Sequence, residues 1–115
     1  MRLNIRCRGV EDPAGVREHV RRRLAFALAR FEGRLSSADV VVTDENGPKG
    51  GPAMRCDIAV RGDRGGEIRA TDGAADPMEA VDLAAGRVAR AVARALERSR
   101  DPYAGPLGGR SASGV

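Results

Sequence analysis

The stretch DPMEAVDLAAGRVARAVARALERSR, residues 76–100, does most to decide the fold of this 115-residue chain. It opens with the signals of a helix start: Asp76 is a favoured N-cap residue, Pro77 suits the first helical position, and Glu79 completes a capping box. At about 100° per residue, the apolar side chains that follow fall within about 80° of one another. The segment therefore predicts an amphipathic helix from Pro77 to about residue 99. Its apolar stripe consists of Met78, Val81, Ala85, Val88, Val92 and Leu96.

The opposite face of this helix carries four arginines, Arg87, Arg90, Arg94 and Arg98. With a rise of about 1.5 Å per residue, they extend along about 16 Å of helix. Like charges three and four residues apart repel one another by a few tenths of a kcal/mol, and only one acid lies between residues 83 and 100. The helix C-terminus favours Arg98 and Arg94, but it does not account for Arg87 or Arg90. The pattern favours a surface that binds phosphate over one that is merely solvated.

The N-terminal part of the chain predicts a strand followed by a second amphipathic helix. In RLNIRCR, residues 2–8, apolar and polar residues alternate, which is typical of a half-buried strand. Asp12 and Pro13 form another helix start of the same kind. Apolar residues then recur at helical spacing, and Gly33 is a typical helix end. The apolar positions of this helix are Val16, Val20, Leu24, Leu28 and Phe31.

The middle of the chain predicts three further strands, because apolar and polar residues alternate there between Gly-rich segments. NGPKGGP (46–52) predicts a loop, and GDRGG (62–66) predicts a hairpin turn. The strands are predicted at ADVVVTDE (38–45), AMRCDIAVR (53–61) and EIRAT (67–71).

The resulting order is β-α-β-β-β-α, which indicates an α+β protein. Its apolar faces are buried most simply in two layers, a four-stranded sheet with two helices on one face, and the β-α-β crossover should be right-handed. We expect one domain over residues 1–100. Residues 101–115 are rich in Gly, Ser and Pro and predict a disordered tail.

The basic residues are unevenly placed and almost all arginine. Formal net charge is +4, and Lys49 is the only lysine among 20 basic residues. A GC-rich genome would produce this bias by itself, whereas guanidinium groups also suit bidentate contacts with phosphate and stacking on bases. Residues 1–34 carry nine arginines and four acids, residues 35–77 five basic residues and eight acids, and residues 78–115 six arginines and four acids. This distribution predicts a one-sided positive field.

The first helix adds the run Arg21, Arg22 and Arg23, with Arg30 near its end. Three consecutive residues spread over about 200° of a helix, so they cannot all face one partner, and we expect some to be solvated or paired with Glu18. If the two helices lie side by side, their exposed faces form one continuous basic surface. The arginines predicted on the outer face of the sheet alternate with acids, which is typical of solvation; they are Arg2, Arg6, Arg55 and Arg69.

No pattern in the sequence indicates an enzyme, a metal site or a cofactor site. His19 is the only histidine and is expected on the helix surface or at the edge of the core. Cys7 and Cys56 point inward by strand alternation, which suits small buried side chains rather than nucleophiles. Two cysteines are also too few for a disulfide scaffold or a zinc site. The GPKGG sequence at residues 47–51 lacks the spacing and the following helix of a phosphate-binding loop.

The start of the chain, MRLNIRC (residues 1–7), has no apolar signal segment. No run of residues approaches transmembrane length. We therefore expect a cytoplasmic protein with no membrane partner, no cofactor and no small-molecule substrate.

With these elements in place, the chain resembles the ribosome hibernation-promoting factor family, also called ribosome-associated inhibitors or sigma factor modulation proteins. The resemblance runs from residue 2 to about residue 99. It is most specific in DPMEAVDLAAGRVARAVAR (76–94), which resembles the family's acidic helix start followed by regularly spaced Lys or Arg. The family often has an aromatic residue where Glu79 stands. The other matching stretches are LNI (3–5), VREHV (16–20), RFEGRL (30–35), VVVTDENGPKGG (40–51) and GGEIRAT (65–71).

The resemblance implies a fold similar to a double-stranded-RNA-binding domain and binding to rRNA of the small ribosomal subunit, where messenger and transfer RNAs sit. Translation would then be blocked reversibly under stress or in stationary phase. The chain ends without the C-terminal domain of long members, so we expect a short form. Two alternatives stay open: a protein that binds structured RNA in general, and a protein-interaction module that modulates a transcription factor. The candidate RNA-binding residues are Arg87, Arg90, Arg94, Arg98, Arg23, Arg22 and Arg30.

Overall fold

A computed structural model of the chain describes residues 1–45 and 53–98. The predicted loop at residues 46–52 and the predicted tail at residues 101–115 lie outside the described residues. The order β-α-β-β-β-α is confirmed, with a short 3₁₀ helix added after the first α-helix. The elements are β1 (Arg2–Arg8), α1 (Pro13–Ala27), the 3₁₀ helix (Ala29–Arg34), β2 (Leu35–Asp44), β3 (Met54–Gly62), β4 (Glu67–Ala74) and α2 (Pro77–Arg98).

The four strands form one mixed sheet in the order β1-β2-β3-β4. β1 pairs with β2 in parallel, and the other two pairs are antiparallel. Alternate residues of each strand face a single core, as in the row Ile5, Val40, Ile58 and Ala70. Both α-helices contribute to that core, so both cover the same face of the sheet as the sequence predicts.

The core is aliphatic, because the sequence supplies few aromatic residues. Val20 and Leu24 of α1 and Val88 and Val92 of α2 are fully buried, and each such side chain contributes about 1.5–3 kcal/mol relative to an exposed one. Cys56 is also fully buried, which confirms its predicted inward position. Among the described residues, no helix is long and apolar enough to cross a membrane.

Both α-helices begin at the predicted caps. The side chain of Asp12 accepts a hydrogen bond from the N–H of Gly15 at 3.1 Å, and that of Asp76 accepts one from the N–H of Glu79 at 3.2 Å. Each carboxylate thereby satisfies a backbone donor that has no partner within its own helix. The proline that follows each aspartate has no N–H to satisfy, so both starts depend on the same local chemistry.

The prediction that the first helix continues to Gly33 is wrong. α1 ends at Ala27, and in the 3₁₀ helix the N–H of Phe31 donates to the carbonyl of Leu28 at 3.0 Å. Because a 3₁₀ helix repeats every three residues, Leu28 and Phe31 stay on one face and the chain reaches Leu35 at the start of β2. Leu28 and Leu35 are both buried. Gly33 has no positive φ angle and is not a left-handed helix end.

Two strands are longer than predicted. β2 begins at Leu35 rather than at Ala38, because a bulge between Leu35 and Ser37 adds a residue opposite β3. The bulge brings Leu35 and Ala38 both to the buried face and breaks the alternation that would have revealed the strand. β4 continues past Thr71 to Ala74, where it still pairs with β3.

Candidate nucleic-acid interface

The two α-helices lie side by side, run in the same direction and form a shallow groove. Near their N-terminal ends, Nε2 of His19 lies 2.7 Å from Oδ1 of Asp82, and Nε of Arg23 donates to the same oxygen at 3.1 Å. Further along, Arg30 and Phe31 line one pocket together with Ala93, Leu96 and Glu97 of α2. We call the solvent-exposed side of α1, the 3₁₀ helix and α2 the helical face.

The arginines of α2 form an exposed row on the helical face. Arg90, Arg94 and Arg98 are exposed, and among the described residues none of them lies within ion-pair distance of an acid. Arg87 differs, because its guanidinium lies 3.3 Å from Oδ2 of Asp72 at the end of β4. The sequence predicts four arginines on this face of α2. Three of them have no acid partner among the described residues, and the positive charge of the fourth is offset by a carboxylate.

The predicted arginines of the first helix divide into two kinds. Arg22 is highly exposed and lies 3.9 Å from Glu18, the pairing that the sequence predicts. Arg30, on the 3₁₀ helix, is exposed and stacks over the ring of Phe31 at 4.6 Å from the ring centroid. Arg23 is half-buried and held by Asp82, so its charge is largely compensated within the protein.

A pocket of about 340 Å³ lies where the groove between the helices opens beyond α1. Its walls are mixed: the 3₁₀ helix contributes two arginines and one aromatic ring, and α2 contributes two apolar side chains and one carboxylate. A pocket of this kind can accept a charged group at its rim and an apolar surface within it. The lining residues are Arg30, Phe31, Arg34, Ala93, Leu96 and Glu97.

The outer face of the sheet is also rich in arginine, and the guanidinium groups of β3 and β4 are paired there. Arg2 and Arg6 of β1 are exposed, and neither lies within ion-pair distance of an acid among the described residues. Arg55 lies 3.1 Å from Asp57 and 3.3 Å from Glu45, and these carboxylates raise the pKa of its guanidinium. Arg61 and Arg69 lie 3.8 Å and 3.1 Å from Glu67. The sequence predicts that Arg55 and Arg69 serve to solvate the outer face, and their pairing with neighbouring acids agrees with that prediction. The arginines of β3 and β4 are therefore paired, whereas α2 carries a row of three arginines without an acid partner among the described residues.

The cysteines sit where alternation predicts. Burial raises the pKa of the Cys56 thiol to about 12 and also raises the pKa of Cys7, so both favour the thiol over the nucleophilic thiolate. Cys7 and Cys56 lie on β1 and β3 at the same level of the sheet, with Val42 of β2 between them. Across the part of the chain that the structure describes, no group of three His, Cys, Asp or Glu side chains could hold a metal ion.

Sequence reasoning missed the two carboxylates that organise the helical face. Asp82 bridges α1 to α2, and Asp72 holds Arg87 from β4. Each contact joins two different elements, so no pattern within one helix reveals it. The only local signal is that Asp82 lies about 80° away from the centre of the α2 apolar stripe, on the side that α1 occupies.

The fold and this face define the class: a small α+β protein with two helices on one side of a mixed sheet and unpaired arginines along its helical layer. The chain belongs to the Sigma 54 modulation protein / S30EA ribosomal protein family, whose model matches residues 3–100. This finding confirms the resemblance that the sequence carries.

Solved structures confirm the fold. The Protein Y N-terminal domain of Thermus thermophilus is 27% identical, with a TM-score of 0.65 over 82% of this chain and 98% of that chain. A ribosomal subunit interface protein from Coxiella burnetii has the same TM-score of 0.65 at 18% identity, covering 82% of this chain and 96% of that chain. No curated protein sequence matches the chain.

Proposed function

We propose that this protein is a non-enzymatic, cytoplasmic translation regulator that binds rRNA of the small ribosomal subunit through its helical face. The observation that carries the proposal is the row of Arg90, Arg94 and Arg98 along α2, which have no acid partner among the described residues, whereas Arg61 and Arg69 on β3 and β4 do. Membership of a family described as a ribosomal protein supports a ribosomal partner.

The binding chemistry follows from the spacing of the free arginines. Arg90, Arg94 and Arg98 are four residues apart, so their guanidinium groups extend along about 12 Å of α2. Each can form a bidentate contact with a phosphate and release the counterions condensed on it. Such contacts follow the shape and backbone of folded RNA rather than its sequence. Occupation of the messenger and transfer RNA path would then block translation reversibly.

The other predicted arginines have subordinate roles in this proposal. Arg22 and Arg30 are exposed at the α1 side of the groove and extend the positive surface. Arg87 must exchange Asp72 for a phosphate, so its net gain is smaller. Arg23 acts chiefly by holding α1 against α2 through Asp82.

Co-sedimentation with purified small subunits tests the proposal. The protein should pellet with small subunits at low salt and be released steeply as the salt concentration rises. A variant with Arg87, Arg90 and Arg94 replaced by Glu should remain in the supernatant while keeping its circular dichroism spectrum. Equal sedimentation of the wild type and this folded variant would overturn the proposal.

Competition separates ribosome binding from the two alternatives. Excess naked duplex RNA should not displace the protein from small subunits; displacement at concentrations equal to those of the subunits would indicate a general binder of structured RNA. Salt-insensitive binding to an acidic protein, with no binding to ribosomes, would indicate the modulation of a transcription factor that the family's description also names.

A further inference from the structure

Phe26 is the most exposed large apolar side chain of the described residues, with 80% of its surface open to solvent. The chain contains only three aromatic residues, and Phe31, one turn later in the 3₁₀ helix, packs against the core. A ring with so much of its surface in solvent contributes little to the packing of this protein. Its exposure is typical of a side chain that contacts a binding partner.

The ring lies beside the groove between the helices. Phe26 follows His19 by seven residues, or two turns, and so lies on the same side of α1 as the residue that contacts Asp82. Since the helices run in the same direction, two turns beyond Asp82 on α2 is Ala89, next to the exposed Arg90. The α2 wall of the groove is formed by small residues at this level, which leaves room above the ring for a flat group; they are Gly86, Ala89 and Ala93.

Arginines lie near Phe26 on both helices, and Asp82 compensates the charge of one of them, Arg23. The guanidinium carbon of Arg23 lies 5.8 Å from the ring centroid, and Nε of the same side chain is fixed by Asp82 at 3.1 Å. Arg22 and Arg90 stand on either side of the groove. This surrounding favours a ligand that is flat and apolar on its faces and that carries negative charge nearby. A nucleobase attached to its phosphate has both properties, whereas an apolar peptide segment has only the first.

We propose that Phe26 is a stacking platform for an unpaired nucleobase of the RNA that the helical face holds. The inference rests on the proposed function and deepens it, because stacking selects a site where a base is free of its partner. Base stacking on an aromatic side chain tolerates any base, since every base has a π-face. The phosphate contacts of Arg90 and Arg94 set the position of the RNA on the helical face. Phe26 then adds a preference for RNA that is single-stranded or distorted at that point.

Substitutions at Phe26 that separate aromaticity from apolar bulk test the proposal with purified small subunits. F26A and F26L should both bind roughly 5- to 100-fold more weakly than the wild type, and F26W should bind as tightly as the wild type. The slope of binding against salt should be unchanged in all three, because no phosphate contact is removed. Their melting temperatures should stay near that of the wild type, since the ring is exposed.

The outcomes distinguish this inference from the proposed function. If the wild type binds and F26A binds equally well, the stacking proposal is overturned and the proposed function stands. Full binding by F26L has the same consequence, because it would indicate an ordinary apolar contact. Failure of the wild type to bind small subunits overturns both proposals. A photoreactive benzoylphenylalanine in place of Phe26 gives a direct readout: a crosslink to rRNA supports stacking, and a crosslink to a ribosomal protein contradicts it.

Discussion

At the scale of the residue, the availability of an arginine depends on its neighbours more than on its exposure. Arg69 is 70% exposed and Arg87 is 59% exposed, yet each shares its charge with a carboxylate. Exposed pairs of this kind are worth up to about 1 kcal/mol, which a phosphate must exceed before the arginine contributes to binding. Arg90 and Arg94 face no such competition among the described residues.

Replacing Asp72 by Asn should strengthen binding to small ribosomal subunits, because it frees Arg87 and removes a negative charge beside the helical face. The gain should be up to about fivefold in the dissociation constant, the equivalent of one exposed ion pair. Fluorescence anisotropy of labelled protein with purified small subunits measures it. D57N on the outer sheet face makes the same change of charge and should have no effect. Equal gains in the two variants would contradict the assignment of the binding face.

The buried thiol of Cys56 should make the protein sensitive to alkali. Burial raises its pKa from the ordinary 9.0 to about 12. The neutral thiol therefore stabilises the folded state fully below pH 9, and this contribution is lost as the pH rises toward 12. By linkage, the free energy of unfolding should fall by about 2 kcal/mol between pH 8 and roughly pH 10.5 through this group. Urea unfolding of the wild type and C56A at both pH values isolates the effect, and identical losses in the two proteins would refute it.

At the scale of the element, α2 could be predicted almost completely and α1 only in part. The start of α2 depends on Asp76 and Pro77, which are local in sequence, and its buried stripe depends on a single helical period. The end of α1 depends instead on where β2 must begin. Leu35 has to reach the core across a bulge, and a 3₁₀ helix provides that path. No residue within α1 carries this information.

Replacing Gly86 by Ala should stabilise the protein. Gly86 lies in the interior of α2, and a methyl group there would meet Nη1 of Arg90 at 3.5 Å, an ordinary van der Waals contact. Alanine is favoured over glycine in a helix by about 0.5–1 kcal/mol, and the urea-derived free energy of unfolding should rise by that amount. A91G on the same helix should lower it by a similar amount. A loss of stability in G86A would show that α1 packs too closely against this position to accept a side chain.

At the scale of the whole molecule, the paired arginines of β3 and β4 and the unpaired arginines of α2 lie on different layers. Strands β3 and β4 pair their outer arginines with acids of neighbouring positions, as at Arg61, Glu67 and Arg69. Among the described residues, the helical layer leaves three of the four α2 arginines without an acid partner, and Arg87 is held by Asp72. The sequence predicts the layers and the helix periodicity, because both follow from local alternation. It does not predict the contacts of Asp72 and Asp82, since these depend on how α2 lies against β4 and α1.

The central claim is that the helical face, and not the sheet, contacts the phosphates of small-subunit rRNA. Two double variants with the same change of charge test it: R90Q/R94Q on the helical face and R61Q/R69Q on the sheet. The measurement is the slope of the logarithm of the binding constant for small subunits against the logarithm of salt concentration. R90Q/R94Q should lower the slope by about 0.7–0.9 for each arginine removed, and R61Q/R69Q should leave it at the wild-type value. A slope that falls equally in both variants, or only in R61Q/R69Q, would contradict the claim.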